Sequence, residues 1–506
     1  MNDALRLPSL LIGLGLLIRL FLAVVLPPGY DEAYYVFYGR HLDLSYFDHP
    51  LAVGLWSWLG QRLGGSVLAL RLPSVVSYTA AMALLGAATD RWFGRQALLW
   101  VLVLGSSAPL LLVCGGVLLL PDSPLLLSLA WLLWWLSRHP STVPVGPGSA
   151  VELGSALAAL TLSKYHALLL LPLLLLWSVC NPAGRAGWRH PWPWLSVALW
   201  LLLSMPLWWW NVHHGWVSFL FHSSRVSGSE QYSFQGPFLF MVAQLGLLFP
   251  TVGVLVLLAL FRRCRSWHPA QNGQPAALLR WLVLPQLLFF ALLAGRMQVL
   301  ASWLVPAWWI SLPLAAAWLA DRPWRRSLIR IPGLASAAVL PPLLLLGALQ
   351  MRWGIFEPVL PTSRDPSAQL MAPQDLRQAL ERTPQIWHAL QQADLVVSHR
   401  YELPGFIALA MPRWFRAEFT SLGSDTRGFA YWDPPNRYIG CRGLIFIFHD
   451  PKRPLISRSA YRRLPGLRPL GLVVVKRSGR PSVVLEAASF GPLQRPLRRT
   501  AQLPQT

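Results

Sequence analysis

Phe21-Leu-Ala-Val-Val-Leu-Pro-Pro-Gly-Tyr-Asp-Glu-Ala-Tyr-Tyr35 is the stretch that decides the architecture. It closes an apolar run from about residue 8 to 26 and opens, without a spacer, into a loop that starts with two adjacent carboxylates, Asp31 and Glu32. About 20 apolar residues are enough to cross roughly 30 Å of hydrocarbon. No small-residue cleavage site precedes Pro27-Pro28, so the run reads as a retained membrane span and not as a removable signal. Tyr46-Phe-Asp-His-Pro50 follows in the same loop, with Tyr30, Tyr34, Tyr35, Phe37 and Tyr38 around the acids. An aromatic belt at a membrane surface needs no function, but it does not account for carboxylates, which are costly there unless solvated, paired or used.

The rest of the chain agrees with a membrane setting. Of 506 residues, 54% are hydrophobic and 13% charged, about half the charge of an average globular chain. That excludes disorder, a fibrous repeat and an ordinary soluble enzyme. Eleven apolar segments are expected to span, near 8–26, 66–89, 97–120, 122–137, 150–163, 165–180, 192–210, 237–261, 277–295, 298–320 and 331–349. The fifth and sixth are short enough to be a re-entrant pair. With the N-terminus on the cytoplasmic side, the connections on that side carry 14 basic residues and the far side five, the sign the positive-inside rule requires. The odd number of spans then puts the C-terminal part on the outer side.

From about residue 351 the pattern changes to short β-like runs, Asp394–Ser398, Gly443–Phe448 and Leu472–Lys476, separated by Pro- and Gly-rich turns. The expected fold is therefore mainly α: a polytopic helical membrane domain over 1–350 with a 27–65 loop of interfacial helices, a small exterior α/β domain over 351–490, and a flexible tail over 491–506. The net charge of +22 is spread through short separate loops and an exterior domain, which argues against nucleic acid and for anionic lipid. Four well-separated cysteines offer no disulfide framework.

Other polar residues stand out against the apolar background. Asp122, in Leu118-Leu-Leu-Pro-Asp-Ser-Pro-Leu125, serves equally as the N-cap of the next helix and as a functional acid. Lys164, the only lysine before the exterior domain, is either a snorkelling side chain or a phosphate partner. Trp208-Trp-Trp-Asn-Val-His-His-Gly-Trp216 is a membrane belt in the plain reading. In the sharper one, His214 joins Asp48 as ligand to a divalent cation. Arg19 and Arg71 fall inside spans and call for an anionic partner.

Taken in order, Tyr30-Asp-Glu-Ala-Tyr-Tyr35, Tyr46-Phe-Asp-His-Pro50, Arg71-Leu-Pro-Ser74, Pro121-Asp-Ser-Pro-Leu125, Ser163-Lys-Tyr165 and Trp210-Asn-Val-His-His-Gly-Trp216 resemble the integral-membrane glycosyltransferases of the GT-C fold. The resemblance is narrower to the bacterial branch related to protein O-mannosyltransferases and lipid A aminoarabinose transferases. Ser398-His-Arg-Tyr-Glu-Leu403 and Tyr431-Trp-Asp-Pro-Pro-Asn436 are similar to that branch's C-terminal domain.

The resemblance implies an inverting transfer of a sugar from a polyprenyl-phosphate carrier to a lipid, glycan or protein acceptor at the non-cytoplasmic face. It makes Asp31 the catalytic acid/base, Glu32 its usual neighbour and Asp122 a second carboxylate of the catalytic set. Lys164, Arg225, His49 and Tyr34 fall where the carrier phosphate is expected, with Tyr34 and His49 standing where the aminoarabinose transferases tend to have arginine and lysine. The alternative reading is a transporter or flippase for a lipid-linked or anionic solute, though no internal repeat of the transporter kind is visible. A non-catalytic scaffold would leave the acids replaceable.

Overall fold

The computed structural model describes residues 3–226, 231–262, 274–321, 330–412, 414–423, 425–434, 436–450, 452 and 464–497. Helix α1 (Asp3–Val25) leads into α2 (Tyr30–Arg40) and α3 (Ala52–Arg62), the two short helices of the first loop. The helical part continues through α4 (Val67–Phe93), α5 (Arg95–Ser107), α6 (Pro109–Gly116), α7 (Asp122–Arg138), α8 (Pro147–Thr161) and α9 (Leu170–Cys180). Then come α10 (Pro182–Gly187), α11 (Pro191–His213), α12 (Val217–Val226), α13 (Gln235–Leu247), α14 (Pro250–Leu260), α15 (Gln274–Leu293), α16 (Val305–Ala320) and α17 (Arg330–Trp353). Among the described residues five helices are long and apolar enough to cross a membrane, or up to seven if each of two bent pairs is one span. The chain is an integral membrane protein.

Two segments expected as single spans are broken. The run 97–120 bends by 75° between α5 and α6, because Pro109 forces Ala108 into an extended conformation. The run 237–261 bends by 117°, where Phe249 adopts φ 71° ahead of Pro250. Hydropathy averages across a window and does not register a one-residue break. Helix α16 is the axis of the bundle: it is buried from Val305 to Leu319, with Trp308 and Trp309 fully enclosed.

The C-terminal part contains α18 (Pro373–Glu381), α19 (Pro384–Gln391), β1 (Leu395–Ser398), α20 (Leu403–Ala410), β2 (Glu418–Ser421), α21 (Phe429–Trp432), β3 (Gly443–Phe448), β4 (Arg468–Arg477) and β5 (Arg480–Phe490). They form one five-stranded sheet in the order β2-β1-β3-β5-β4, parallel through β2-β1-β3 and antiparallel through β3-β5-β4. The continuous apolar run of β3 is covered on both faces, as in parallel sheets generally, whereas Val473 and Val475 of β4 alternate inward. Of the expected tail, residues 498–506 lie outside the described residues. Residues 491–497 do not hang free: Leu493 is buried, and its backbone pairs with Gly440 and Cys441.

The sheet domain does not merely follow the bundle; it shares a core with α2. Tyr34, Tyr35, Phe37 and Tyr38 pack in one cluster with Leu403, Phe406, Phe419 and Phe429. At the crossing of α20 and α2 the approach is so close that a Cβ on Gly405 would lie 1.9 Å from the Ala33 carbonyl oxygen. On its other side α2 is fixed by a buried ion pair. Arg71 of α4 gives Nε to Glu32 Oε1 at 2.8 Å and Nη2 to Oε2 at 2.6 Å, and its remaining N–H groups go to the carbonyls of Ala23, Leu26 and Pro27. Glu32 also accepts from the Gly29 and Leu119 backbone N–H groups.

Breaking a buried pair by removing one partner costs about 3–5 kcal/mol, because the other charge is stranded. Glu32→Ala should therefore lower the unfolding midpoint of the detergent-solubilised protein strongly, and Glu32→Leu combined with Arg71→Met should recover much of the loss. Equal midpoints for Glu32→Ala and wild type would remove the pair from this structural role.

Candidate active site

A cavity of about 430 Å³ lies where the first loop, the bundle and the sheet domain meet. Asp31 stands in the first turn of α2 and faces it, with its side chain 44% exposed. Asp122, the first residue of α7, and Lys164, in the turn after α8, face the same space and form a buried ion pair of 2.8 Å. Lys164 Nζ also reaches the Ser302 carbonyl at 3.4 Å. Asp31 and Asp122 thus open onto one cavity.

Roofing comes from the sheet domain. Tyr401 donates its hydroxyl to Asp31 Oδ1 at 2.9 Å. The Arg427 guanidinium lies 3.6 Å from the centroid of the Tyr401 ring, 3.1 Å from Asp48 Oδ2 and 3.5 Å from Asp31 Oδ1. Arg427 holds φ 44°, a left-handed conformation that costs a non-glycine residue about 1–2 kcal/mol and that marks functional positions when it is observed. Burial opposes its charge, but Asp48 and Asp31 keep the guanidinium protonated well above the ordinary range.

The remaining expected residues divide. His49 lines the cavity, and its Nδ1 is buried without a hydrogen-bond partner among the described residues. Asp48 lines it too, bound to Arg427 and to the Tyr38 hydroxyl. Tyr34 does not reach it. Its ring is stacked on Trp432 beneath the sheet domain, and its hydroxyl accepts from the Gly428 backbone N–H at 2.8 Å. Glu32 faces Arg71 and not the cavity. The Arg225 side chain lies outside the described residues.

Asp48 and His214 are not assembled as a cation site. His214 stacks on Trp210, with Nδ1 at 2.8 Å from the Trp210 carbonyl oxygen, and does not line the cavity. Among the described residues no three His, Cys, Asp or Glu side chains converge to hold a metal, and a guanidinium already occupies the Asp48 carboxylate. Asp48 and His214 therefore do not face a common ion position.

Three contributors escaped the sequence reading: Arg427, His166 and His222. His166 adjoins the quoted Ser163-Lys-Tyr165, and His222 lies six residues beyond the quoted Trp216, so proximity to those motifs was the available signal. Arg427 lies four residues before the quoted Tyr431–Asn436 run, which by itself does not point to a cation.

This arrangement, a helical bundle whose first loop and 120–122 turn meet a capping sheet domain over an acid-lined cavity, is the GT-C fold of membrane glycosyltransferases of the ArnT type. Residues 48–210 match the family described as dolichyl-phosphate-mannose-protein mannosyltransferase. The chain is similar to the lipid A galacturonosyltransferase RgtD of Rhizobium johnstonii, 26% identical over 312 residues, which are 60% of this chain and 64% of that relative's length. ArnT from Cupriavidus metallidurans superposes over 95% of this chain and 97% of its own, with a TM-score of 0.60 at 15% identity in the apo state. For ArnT bound to undecaprenyl phosphate the TM-score is 0.62 at 16% identity.

Burial, followed by the positive neighbours Lys164, His222, His166 and Arg427, holds the His49 imidazole well below its ordinary value of 6.5. The unfolded chain would then take up a proton that the folded one refuses, so stability should fall as pH drops below about 6.5, by at most about 1.4 kcal/mol per pH unit. His49→Gln should flatten the unfolding midpoint between pH 7 and pH 5.5 relative to wild type. An unchanged slope would show that His49 takes up its proton in the folded protein as readily as in the unfolded one.

Proposed function

We propose that the chain is an inverting glycosyltransferase that moves a sugar from a polyprenyl-phosphate carrier to a lipid acceptor at the periplasmic face of the inner membrane. The observation that carries this reading is the convergence of Asp31, Asp122 and Lys164 on one cavity. The printed identities of RgtD and ArnT, a lipid A glycosyltransferase and a protein seen with undecaprenyl phosphate, support the substrate classes.

In this reaction the acceptor hydroxyl oxygen forms a bond to the anomeric carbon as the carbon–oxygen bond to the carrier phosphate breaks. The hydroxyl proton goes to Asp31, whose position the Tyr401 hydroxyl fixes. Lys164 balances the charge that develops on the departing phosphate, a stabilisation that is strong in a water-poor site. His49 is near enough to share that task, and Arg225 is a further candidate for it. Asp122 holds Lys164 in place and takes the second carboxylate role. Arg427, between Asp48 and Asp31, positions the acid pair from above. The carrier's apolar chain would lie between helices, which explains why the catalyst is built into the bilayer.

A general base is worth about 10² to 10⁴ in rate. Asp31→Asn, folded to the wild-type midpoint in proteoliposomes given a panel of polyprenyl-phosphate sugars, should release free carrier phosphate at least about a hundredfold more slowly. Wild-type turnover would sink the assignment. Movement of the intact donor across the vesicle membrane, without release of carrier phosphate, would favour the transporter reading instead.

A further inference from the structure

A second open space, of about 710 Å³, lies at the opposite end of α2. Its walls are the last turn of α2, the end of α3, the Gly64-Gly65 turn into α4, and Met411, Pro412 and Phe415–Phe419 of the sheet domain. Three guanidinium side chains face it, Arg40, Arg62 and Arg416, and none has an ion-pair partner among the described residues. Its acid, Glu418, is bound to Arg437 at 2.7 Å and acts on Arg40 only from a distance, so three groove arginines face one carboxylate that is already shared. The Arg40 guanidinium lies over the Phe37 ring, with Cζ 5.1 Å from its centroid, and that of Arg62 over the Trp58 ring at 5.4 Å, cation–π contacts that hold the charged ends in place while leaving their N–H groups to bind an anion.

Two features say what such a site would take. The groove opens beside the first turn of α4, a helix long and apolar enough to cross a membrane, so it sits at the boundary between hydrocarbon and water. Next to it α3 leaves Leu55, Trp58, Leu59 and Leu63 exposed, a single stripe at helical spacing, as on helices that lie in a membrane surface. An excess of arginines at that depth, beside an unpartnered apolar stripe, complements a phosphate on an acyl-chain anchor. A soluble anion would have no use for the stripe.

We propose that this groove binds the phosphate headgroup of an anionic membrane lipid, in the leaflet that the reaction cavity serves. The inference stands whether or not the transferase reading holds. Nine residues of α2 separate Arg40 from Asp31, a rise of about 14 Å, so a lipid held here would lie within a few sugar lengths of the reaction cavity.

The test uses the full chain in neutral detergent, with dioleoyl phosphatidic acid as the probe and native mass spectrometry as the readout. At about 1 kcal/mol for each basic residue near an anionic surface, R40Q/R62Q/R416Q should bind phosphatidic acid about a hundredfold more weakly. A variant with equal charge loss elsewhere, R95Q/R185Q/R189Q, should bind like wild type, and inorganic phosphate should not displace the lipid at equal concentration. Three outcomes would overturn the proposal: wild-type binding by the groove variant, equal loss in both variants, or displacement by inorganic phosphate, which would mean a soluble-anion site. Should the triple variant fail to fold, R62Q alone, whose exposed guanidinium lies over the exposed Trp58 ring, should still lose several-fold in binding, and unchanged binding by it would count against the groove.

Discussion

A single guanidinium organises the membrane-facing half of this site. All five N–H donors of Arg71 are used, two on the Glu32 carboxylate and three on carbonyls at the end of α1. The far side of the same carboxylate holds the Leu119 N–H. Three chain segments far apart in sequence are therefore tied to one buried charge pair, and a partly satisfied network of this kind would cost more than none. Its effect on chemistry is indirect. Successive residues on a helix point about 100° apart, so fixing Glu32 into the bundle turns Asp31 out to the cavity. Two adjacent acids acquire opposite surroundings from that geometry.

The sheet domain completes what the bundle begins. Tyr401 and Arg427 give Asp31 a hydroxyl donor and a cation from above, while Lys164 and Asp122 pair on the membrane side. Because α2 is packed between the two parts, the separation between those groups is set by a shared core and not by a hinge. The superposition on ArnT over nearly its full length indicates that this packing of bundle and cap is a property of the fold.

Much of this was legible beforehand because it rests on local signals. Apolar runs marked the helices, and carboxylates in an apolar setting marked Asp31, Asp48 and Asp122. Separating Glu32 from Asp31 required knowing that Arg71, 39 residues on, lay against one and not the other. Tyr34 resembled a cavity residue by its place in the motif, but the partner that buries it, Trp432, lies nearly 400 residues away. Arg427 sits in a short segment between β2 and α21, four residues ahead of the Tyr431–Asn436 run, with no periodicity to single it out. Strand β2 is only four residues long, and β5 became readable only once the Ser478-Gly479 turn, with both residues at positive φ, folded it back on β4. In each case the missing information was a long-range contact that one-dimensional patterns do not carry.

The docking of α20 on α2 has a consequence for how the protein is made. Asp31 and the tyrosine that caps it are 370 residues apart, and at typical synthesis rates of 5–20 residues per second the first loop leaves the ribosome about 20 to 70 seconds before its cover. Throughout that interval the ring-rich face of α2 has nothing to rest on except lipid or a chaperone. The earliest part of the chain to be inserted is thus among the last to reach its native state, and a nascent protein stalled before the sheet domain would present that face to quality control.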